Sequence, residues 1–164
     1  MNAVVVDTNV ARTANGDAEQ AGPGCVSRCI DELTRIGKDR QLLLDDAGLI
    51  LLEYLKASPY SSPRGPGDLF IVWVNDNQAN PTRVRTVPVT PLDDPRGFAE
   101  FPEDPDLQDF DRDDRKFVAT ALNGGSSVPI LNATDTDWWE YAAPLKRNGV
   151  RLEFLCPELM HDRK

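Results

Sequence analysis

The sequence has no long hydrophobic run and no basic leader. None of its apolar stretches approaches the roughly 18 residues that a membrane-spanning helix needs. The first residues lead directly into a predicted strand, without the positively charged region that opens a secretory signal peptide. We therefore expect a cytoplasmic protein without a membrane span.

Histidine and cysteine are scarce. His161 is the only histidine, which disfavours a histidine-based zinc site. The three cysteines are an odd number and have the spacing of neither a zinc site nor a disulfide framework. Cys25 and Cys29 are one helical turn apart, and together with Cys156 we expect them to be small buried thiols in a reducing compartment.

Positively charged residues are fewer than negatively charged ones. The chain has 18 Lys and Arg against 27 Asp and Glu, which gives a net charge of −9 and a pI near 4.6. A field of this sign disfavours non-specific binding to nucleic acids or to anionic membranes. It does not exclude an enzyme that acts on nucleic acid, because acidic side chains around a metal ion reverse the local potential.

Proline is abundant, and its distribution divides the chain. The 164 residues suffice for a hydrophobic core, so we expect a single domain over residues 1–164. Many of the 13 prolines lie between residues 59 and 105. We therefore expect an irregular insertion at about residues 58–106.

The clearest local signal comes from residues 3–9. Val4, Val5 and Val6 predict a short buried strand, because β-branched residues favour strands. Asp7 ends the run, and burying an ionised carboxylate within a strand is costly. We therefore place Asp7 at the carboxyl end of the strand, the edge where open α/β sheets bind their ligands.

Strand and helix patterns alternate along the chain. They predict an α/β protein with a central, mostly parallel sheet in a three-layer α/β/α arrangement. Residues 68–78 also fit a strand, but a helix is favoured because a further apolar element follows at residues 84–89. The other predicted strands are 3–6, 40–44, 128–131 and 151–155, the other helices are 25–37, 47–57, 113–122 and about 137–147, and residues 12–24 are predicted as loop.

Acidic residues gather at the predicted carboxyl edge of the sheet. Carboxylates this close are tolerated only with bound cations or shared protons. Ligand sets of oxygen alone favour Mg²⁺ or Mn²⁺, and one or two such ions suit attack of water on a phosphodiester. The acids are Asp7, Asp45 or Asp46, Asp135 and Asp137 after three strands, with Glu53 and Asp114 on two helices.

Four motifs in order resemble those of PIN-domain proteins. They are VVVDTNV, LLEYLK, DDRKFVATAL and ILNATDTDWW, and the resemblance covers roughly residues 3–57 and 107–156. It implies a PIN-like fold and a Mg²⁺- or Mn²⁺-dependent endoribonuclease, commonly the toxin of a bacterial toxin–antitoxin pair. It also implies an RNA substrate, an antitoxin protein as partner and a homodimer.

The resemblance assigns roles to individual residues. Thr8 and Asn9 match the polar pair after the first acid, where a hydroxyl or amide can hold metal-bound water. The chain departs from the family in being longer than a minimal PIN domain and in offering few positive charges for RNA. The implied catalytic and metal-binding acids are Asp7, Glu53, Asp114 and Asp135, with Asp137 as a further metal ligand. The nearest cations in the sequence are Arg12, Arg115 and Lys116.

Each of these acids also has a purely structural interpretation. Asp7 can cap a turn, Glu53 can be a solvated helix residue, and Asp137 can cap the last long helix. Asp113 and Asp114 open the predicted helix at residues 113–122. We expect Asp113 to be its N-cap and Asp114 to be a metal ligand. Turn and helix-cap roles are the preferred interpretation for Asp45 and Asp46, and packing on the sheet is preferred over base stacking for Trp138 and Trp139.

Two other functions remain open. The first is a metal-dependent phosphatase on a similar sheet. A phosphatase of the haloacid-dehalogenase type needs a second aspartate two residues after its nucleophile, and this chain has Asn9 at that position. A receiver domain also fits poorly, because the order of its acids and its late lysine differs. The second is a non-catalytic PIN-like module that binds a partner through its acidic surface.

Overall fold

Five parallel strands form the central sheet of the computed structural model, which describes residues 2–58, 65–125 and 127–161. Helices flank this sheet, so the predicted α/β class with a three-layer α/β/α arrangement is confirmed. The strands are β1 (Asn2–Val6), β2 (Arg40–Asp45), β3 (Val84–Val87), β4 (Pro129–Asn132) and β5 (Arg151–Phe154), in the spatial order β3-β2-β1-β4-β5.

The helices divide between the two faces because the chain reverses direction across the sheet. It moves outward from β1 through β2 to β3 and then returns to β4 and β5. Right-handed crossovers place the connections of these two halves on opposite faces. The helices are α1 (Thr8–Ala14), α2 (Pro23–Arg35), α3 (Leu49–Ala57), α4 (Pro66–Asn77), α5 (Arg115–Asn123), α6 (Asp137–Glu140) and α7 (Ala142–Arg147).

The central strand, β1, is fully buried over its last three residues. Val4, Val5 and Val6 have no exposed surface, as the run of β-branched residues predicts. β1 pairs with β2 on one side and with β4 on the other. Its carboxyl end is therefore the point where the strand order reverses, which is the usual ligand position in doubly wound sheets.

Two predictions about irregular structure are wrong. The loop predicted at residues 12–24 begins later, because α1 covers Thr8–Ala14 and α2 begins at Pro23. The insertion predicted at residues 58–106 contains α4 and β3, both of which belong to the layered fold. The prediction of a helix at residues 68–78 is confirmed by α4, whereas residues 59–64 lie outside the described part of the chain.

The irregular segment that does remain, residues 88–111, is organised around one buried arginine. Arg115 is 4% exposed, and its guanidinium lies 4.4 Å from the centre of the Phe101 ring. The prediction that Arg115 is available to RNA is therefore wrong. Its guanidinium donates hydrogen bonds to the carbonyl oxygens of Pro95, Arg96, Leu107, Gln108 and Phe110.

The last predicted helix, at about residues 137–147, is divided in two. α6 ends at Glu140 and α7 begins at Ala142. Pro144 explains the break, because it has no N–H to donate to the carbonyl of Glu140. Within the described ranges no helix has the length and apolar character needed to cross a bilayer.

The expectation of three free thiols is wrong. Cys25 on α2 forms a disulfide with Cys156, which follows β5, and 131 residues separate the two. Cys29 remains a free, buried thiol beside this bond. Spacing along the chain could not reveal the pair, because only the packing of α2 against the C-terminal segment brings the two sulfur atoms together.

We expect reduction of this disulfide to lower the free energy of unfolding by about 2–4 kcal/mol, because the bond restricts a long loop in the unfolded chain. Urea unfolding with and without a phosphine reductant measures the difference. A Cys25→Ser/Cys156→Ser double variant is the matched control, since the reductant should leave its stability unchanged. Equal stability of the wild type in both conditions would contradict the prediction.

Candidate metal centre

Three carboxylates meet at the carboxyl edge of the sheet. Asp7, Asp114 and Asp135 each place an oxygen within 4.8 Å of the others. Asp7 follows β1 and Asp135 follows β4, and these strands are neighbours with Val6 opposite Leu131. Asp114 comes from the turn that leads into α5. The sheet topology therefore brings Asp7 together with two acids that lie more than 100 residues further along the chain.

Asp7 is held from two sides. Its side chain is the N-cap of α1, where Oδ1 accepts a hydrogen bond of 2.9 Å from the backbone N–H of Asn9. Its Oδ2 accepts one of 2.8 Å from the indole N–H of Trp138, which is fully buried. The packing role predicted for Trp138 is confirmed, but its hydrogen bond to Asp7 was missed. The only signal in the sequence is a tryptophan close after an acid.

A pair of asparagines fixes the loop that carries Asp135. Asn9 donates to Oδ1 of Asn132 at 2.8 Å and accepts from the backbone N–H groups of Ala133 and Thr134 at 2.9 and 3.1 Å. Asn132 in turn donates to the carbonyl of Asp135 at 3.0 Å. The amide of Asn9 thus positions the acidic loop, a role different from the water ligand that the resemblance implied.

Glu53 lies beside the three carboxylates and outside their group. Its Oε2 accepts a hydrogen bond from the hydroxyl of Thr8, and its Oε1 accepts one of 2.8 Å from the ammonium of Lys116. Lys116 also donates to the carbonyl of Asp113. Glu53 therefore carries its own counter-ion, whereas among the described residues no lysine or arginine forms an ion pair with Asp7, Asp114 or Asp135.

In the turn before α5, the capping role expected of Asp113 belongs to Asp111. Asp113 does not cap the helix; the prediction is wrong because Asp111 accepts a 2.9 Å hydrogen bond from the N–H of Asp113 and caps a 3₁₀ turn at Arg112–Asp114. This extra turn leaves Asp113 exposed and buries Asp114. Asp114 is therefore the acid of this pair that joins the cluster, and its role as a metal ligand stays a prediction.

The remaining candidate acids support the fold around the site. Asp137 is the first residue of α6, and its N–H donates to Oδ1 of Asp135 at 2.9 Å. Its carboxylate is not among the three that converge. Asp45 caps α3 through both oxygens, and Asp46 accepts from the N–H of Val89. The structural roles predicted for Asp45 and Asp46 are confirmed.

The converging acids are costly to ionise. Burial, together with the nearby charges of Asp7 and Asp135, raises the pKa of Asp114 to about 9. Burial also raises the pKa of Asp7 to about 6 and shifts the pKa of Asp135 upward. A cation placed between these oxygens would remove the cost, because it favours the charged form of all three.

The donor set fits a hard divalent cation. It consists of carboxylate oxygens, the ligands that Mg²⁺ and Mn²⁺ prefer. An ionised carboxylate accepts about four hydrogen bonds or metal contacts, so Asp7 retains free lone pairs beside Trp138 and Asn9. Within the described residues, the sulfur atoms of Cys25, Cys29 and Cys156 form a second group close enough to hold a metal ion. Cys25 and Cys156 are joined in a disulfide, so their sulfur atoms are not thiolate ligands.

No protein-family profile, no curated protein and no solved structure matches this chain.

We expect the metal-free protein to lose stability as pH rises from about 4 to about 9. In the folded state Asp114 keeps its proton up to a pKa of about 9, whereas the unfolded chain releases it near 3.8. The folded state therefore binds more protons in this window, and its advantage declines with rising pH. Urea unfolding at several pH values, in the presence of a chelator, measures the slope.

Asp114→Asn should flatten this slope, because the variant has no proton to release at that position. Asp113→Asn is the matched control, since its side chain is exposed and lies outside the cluster. Parallel profiles for the wild type and Asp114→Asn would contradict the assignment.

Proposed function

We propose that this chain is a Mg²⁺- or Mn²⁺-dependent ribonuclease of the PIN-domain type that hydrolyses RNA phosphodiesters. The observation that carries the proposal is the convergence of Asp7, Asp114 and Asp135 at the point where the strand order reverses. Motif order in the sequence supports it independently, because all three acids belong to motifs that resemble the family.

The protein's own contribution is a prearranged set of oxygen ligands. Asp7, Asp114 and Asp135 would hold the cation, while Trp138 and Asn9 keep the Asp7 carboxylate in one orientation. A bound Mg²⁺ or Mn²⁺ supplies the positive charge that activates water and stabilises charge on the phosphate. Because the ligands are fixed by buried groups, little reorganisation is needed when the cation and the substrate bind.

Lys116 and Glu53 would form the border of the site toward the substrate. The ammonium of Lys116 is held by the Glu53 carboxylate and by the carbonyl of Asp113, so its charge has a fixed position. Lys116 is 9% exposed, and a charge in so sheltered a place is weakly screened by salt. In this arrangement Glu53 orients the ammonium of Lys116. Its role differs from that of the three acids that would bind the metal ion.

Two alternatives fit the geometry less well. An aspartyl-phosphate phosphatase would use Asp7 as nucleophile, but both of its oxygens accept hydrogen bonds from buried donors. A purely acidic docking module would need its carboxylates at the surface, whereas Asp7 and Asp114 are buried. Both observations favour metal binding over these functions.

The compartment and the partners belong to the same proposal. We place the enzyme in the cytoplasm with its RNA substrate, although the Cys25–Cys156 disulfide is more typical of oxidising compartments. An antitoxin protein and a homodimer stay predictions of the family resemblance. Alkylation of free thiols in intact cells, followed by mass spectrometry, would show which redox state the protein has in vivo.

Asp114→Asn should abolish Mn²⁺ binding and lower the rate of RNA cleavage by about 100-fold or more, since even groups behind the ligands of metal sites contribute 10–100-fold. Calorimetric titration with Mn²⁺ and a cleavage assay on structured RNA check both effects. Asp113→Asn should retain binding and cleavage. A wild type that binds no Mn²⁺ would disprove the metal centre.

Glu53→Gln should lower cleavage while changing Mn²⁺ affinity by less than about tenfold, because Glu53 holds Lys116 and lies beside the metal ligands. The same titration and assay provide the two readouts. A loss of Mn²⁺ affinity as large as that of Asp114→Asn would instead make Glu53 a direct metal ligand.

A further inference from the structure

Three buried sulfur atoms meet between α2 and the segment that follows β5. The sulfur atoms of Cys25, Cys29 and Cys156 all lie within 4.8 Å of one another. Cys25 and Cys29 are one turn apart on the same face of α2. The exposed fractions of the three residues are 3%, 0% and 0%. We call this group the sulfur triad; the disulfide uses two of its members, and the proposed hydrolysis uses none.

The sulfur triad has two chemical states. The chain is synthesised with three thiols, and the bond forms only when another disulfide accepts two electrons and two protons from Cys25 and Cys156. Low-molecular-weight thiols in the cytoplasm oppose this oxidation and keep most cysteines there reduced. In that compartment the chain holds three buried thiols in one place.

Contacts other than the disulfide hold the triad together. Arg28 on α2 donates a hydrogen bond of 2.7 Å from Nε to the carbonyl of Leu155, and its guanidinium forms an ion pair with Glu158. These contacts tie the chain to α2 on both sides of Cys156. The N–H of Leu155 also donates to the carbonyl of Asn132 at 2.9 Å, which fixes the segment to β4. We therefore expect the reduced chain to keep its three sulfur atoms close together.

Three thiols at these distances suit a soft metal ion. Thiolates select Cu⁺ and Zn²⁺ over hard cations such as Mg²⁺. An ion at about 2.3 Å from each sulfur would hold the sulfur atoms about 4 Å apart, which is compatible with the 4.8 Å limit of the triad. Burial raises the pKa of Cys29 to about 12, so a bound cation is needed to make this thiol a thiolate near neutral pH.

The number of donors favours Cu⁺ over Zn²⁺. Structural zinc sites have four ligands. Within the described residues no fourth cysteine, histidine or carboxylate joins the triad, and its burial keeps water from the fourth position. Cu⁺ is satisfied by two or three thiolates, so the triad can hold it without a further donor. Cys25 also lies in the first turn of α2, where the helix dipole favours a thiolate.

We propose that the reduced chain binds one Cu⁺ ion through Cys25, Cys29 and Cys156, and that this ion and the Cys25–Cys156 disulfide exclude each other. Binding forms three Cu–S bonds and releases the three thiol protons to the solvent. The site is separate from the carboxylate cluster, whose oxygen atoms suit hard cations. It does not depend on the proposed ribonuclease function.

The test titrates the phosphine-reduced wild type with Cu⁺ under anaerobic conditions, in competition with the chromophoric chelator bicinchoninate. We expect one Cu⁺ per chain and, in X-ray absorption at the copper edge, three sulfur neighbours alone. Cys29→Ser should lower the Cu⁺ affinity by about 100-fold or more, since groups behind metal ligands already contribute about 10–100-fold. Asp114→Asn is the matched control, because it changes the carboxylate cluster and should bind Cu⁺ as the wild type does.

Two further measurements separate the loss of a ligand from misfolding. Oxidised Cys29→Ser should still form the Cys25–Cys156 bond, which alkylation followed by mass spectrometry detects. Cu⁺ should raise the melting temperature of the reduced wild type and leave that of the oxidised wild type unchanged, since a ligand stabilises only the state that binds it.

Three results would overturn the proposal. They are Cu⁺ binding by the reduced wild type no tighter than by the oxidised one, full affinity in Cys29→Ser, and oxygen or nitrogen neighbours around the bound copper. One-to-one binding of Zn²⁺ without binding of Cu⁺ would also overturn it, because such a site would need a fourth ligand from outside the triad.

Discussion

Repulsion among three carboxylates, two buried and one half-buried, is the constraint on which the rest of the site depends. Asp7, Asp114 and Asp135 converge within 4.8 Å in surroundings that raise the pKa of each of them. Such a cluster costs folding free energy unless protons or a cation neutralise it. Other interactions must offset this cost. Burial of Val4, Val5 and Val6 on β1, the strand that ends at Asp7, is one stabilising contribution.

The second feature of the site is how firmly neighbouring groups orient the acids. Trp138 and the N-terminus of α1 hold Asp7, and the paired amides of Asn9 and Asn132 hold the loop of Asp135. These hydrogen bonds join the ends of β1 and β4, so the ligand geometry is built into the packing of adjacent strands. The metal-dependent hydrolysis that we propose would require such prearranged carboxylates.

One buried side chain joins distant parts of the proline-rich segment. Arg115 binds five backbone carbonyls of this segment, which otherwise has few regular backbone hydrogen bonds. The hydrogen bonds of Arg115 thus join residues 95–96 to residues 107–110.

By itself the sequence determined the parallel α/β fold, the position of Asp7 and the acidic character of the site, because strand periodicity and strand-end acids are local patterns. The roles of Arg115, Trp138 and Asn9, and the Cys25–Cys156 bond, were decided only by the tertiary structure. Each of them depends on a partner distant in the chain or on a packed loop, and no local pattern encodes such a partner. Glu53 differs from the three converging acids for the same reason. Its position in the sequence is compatible with metal binding, but in the folded chain it forms an ion pair with Lys116.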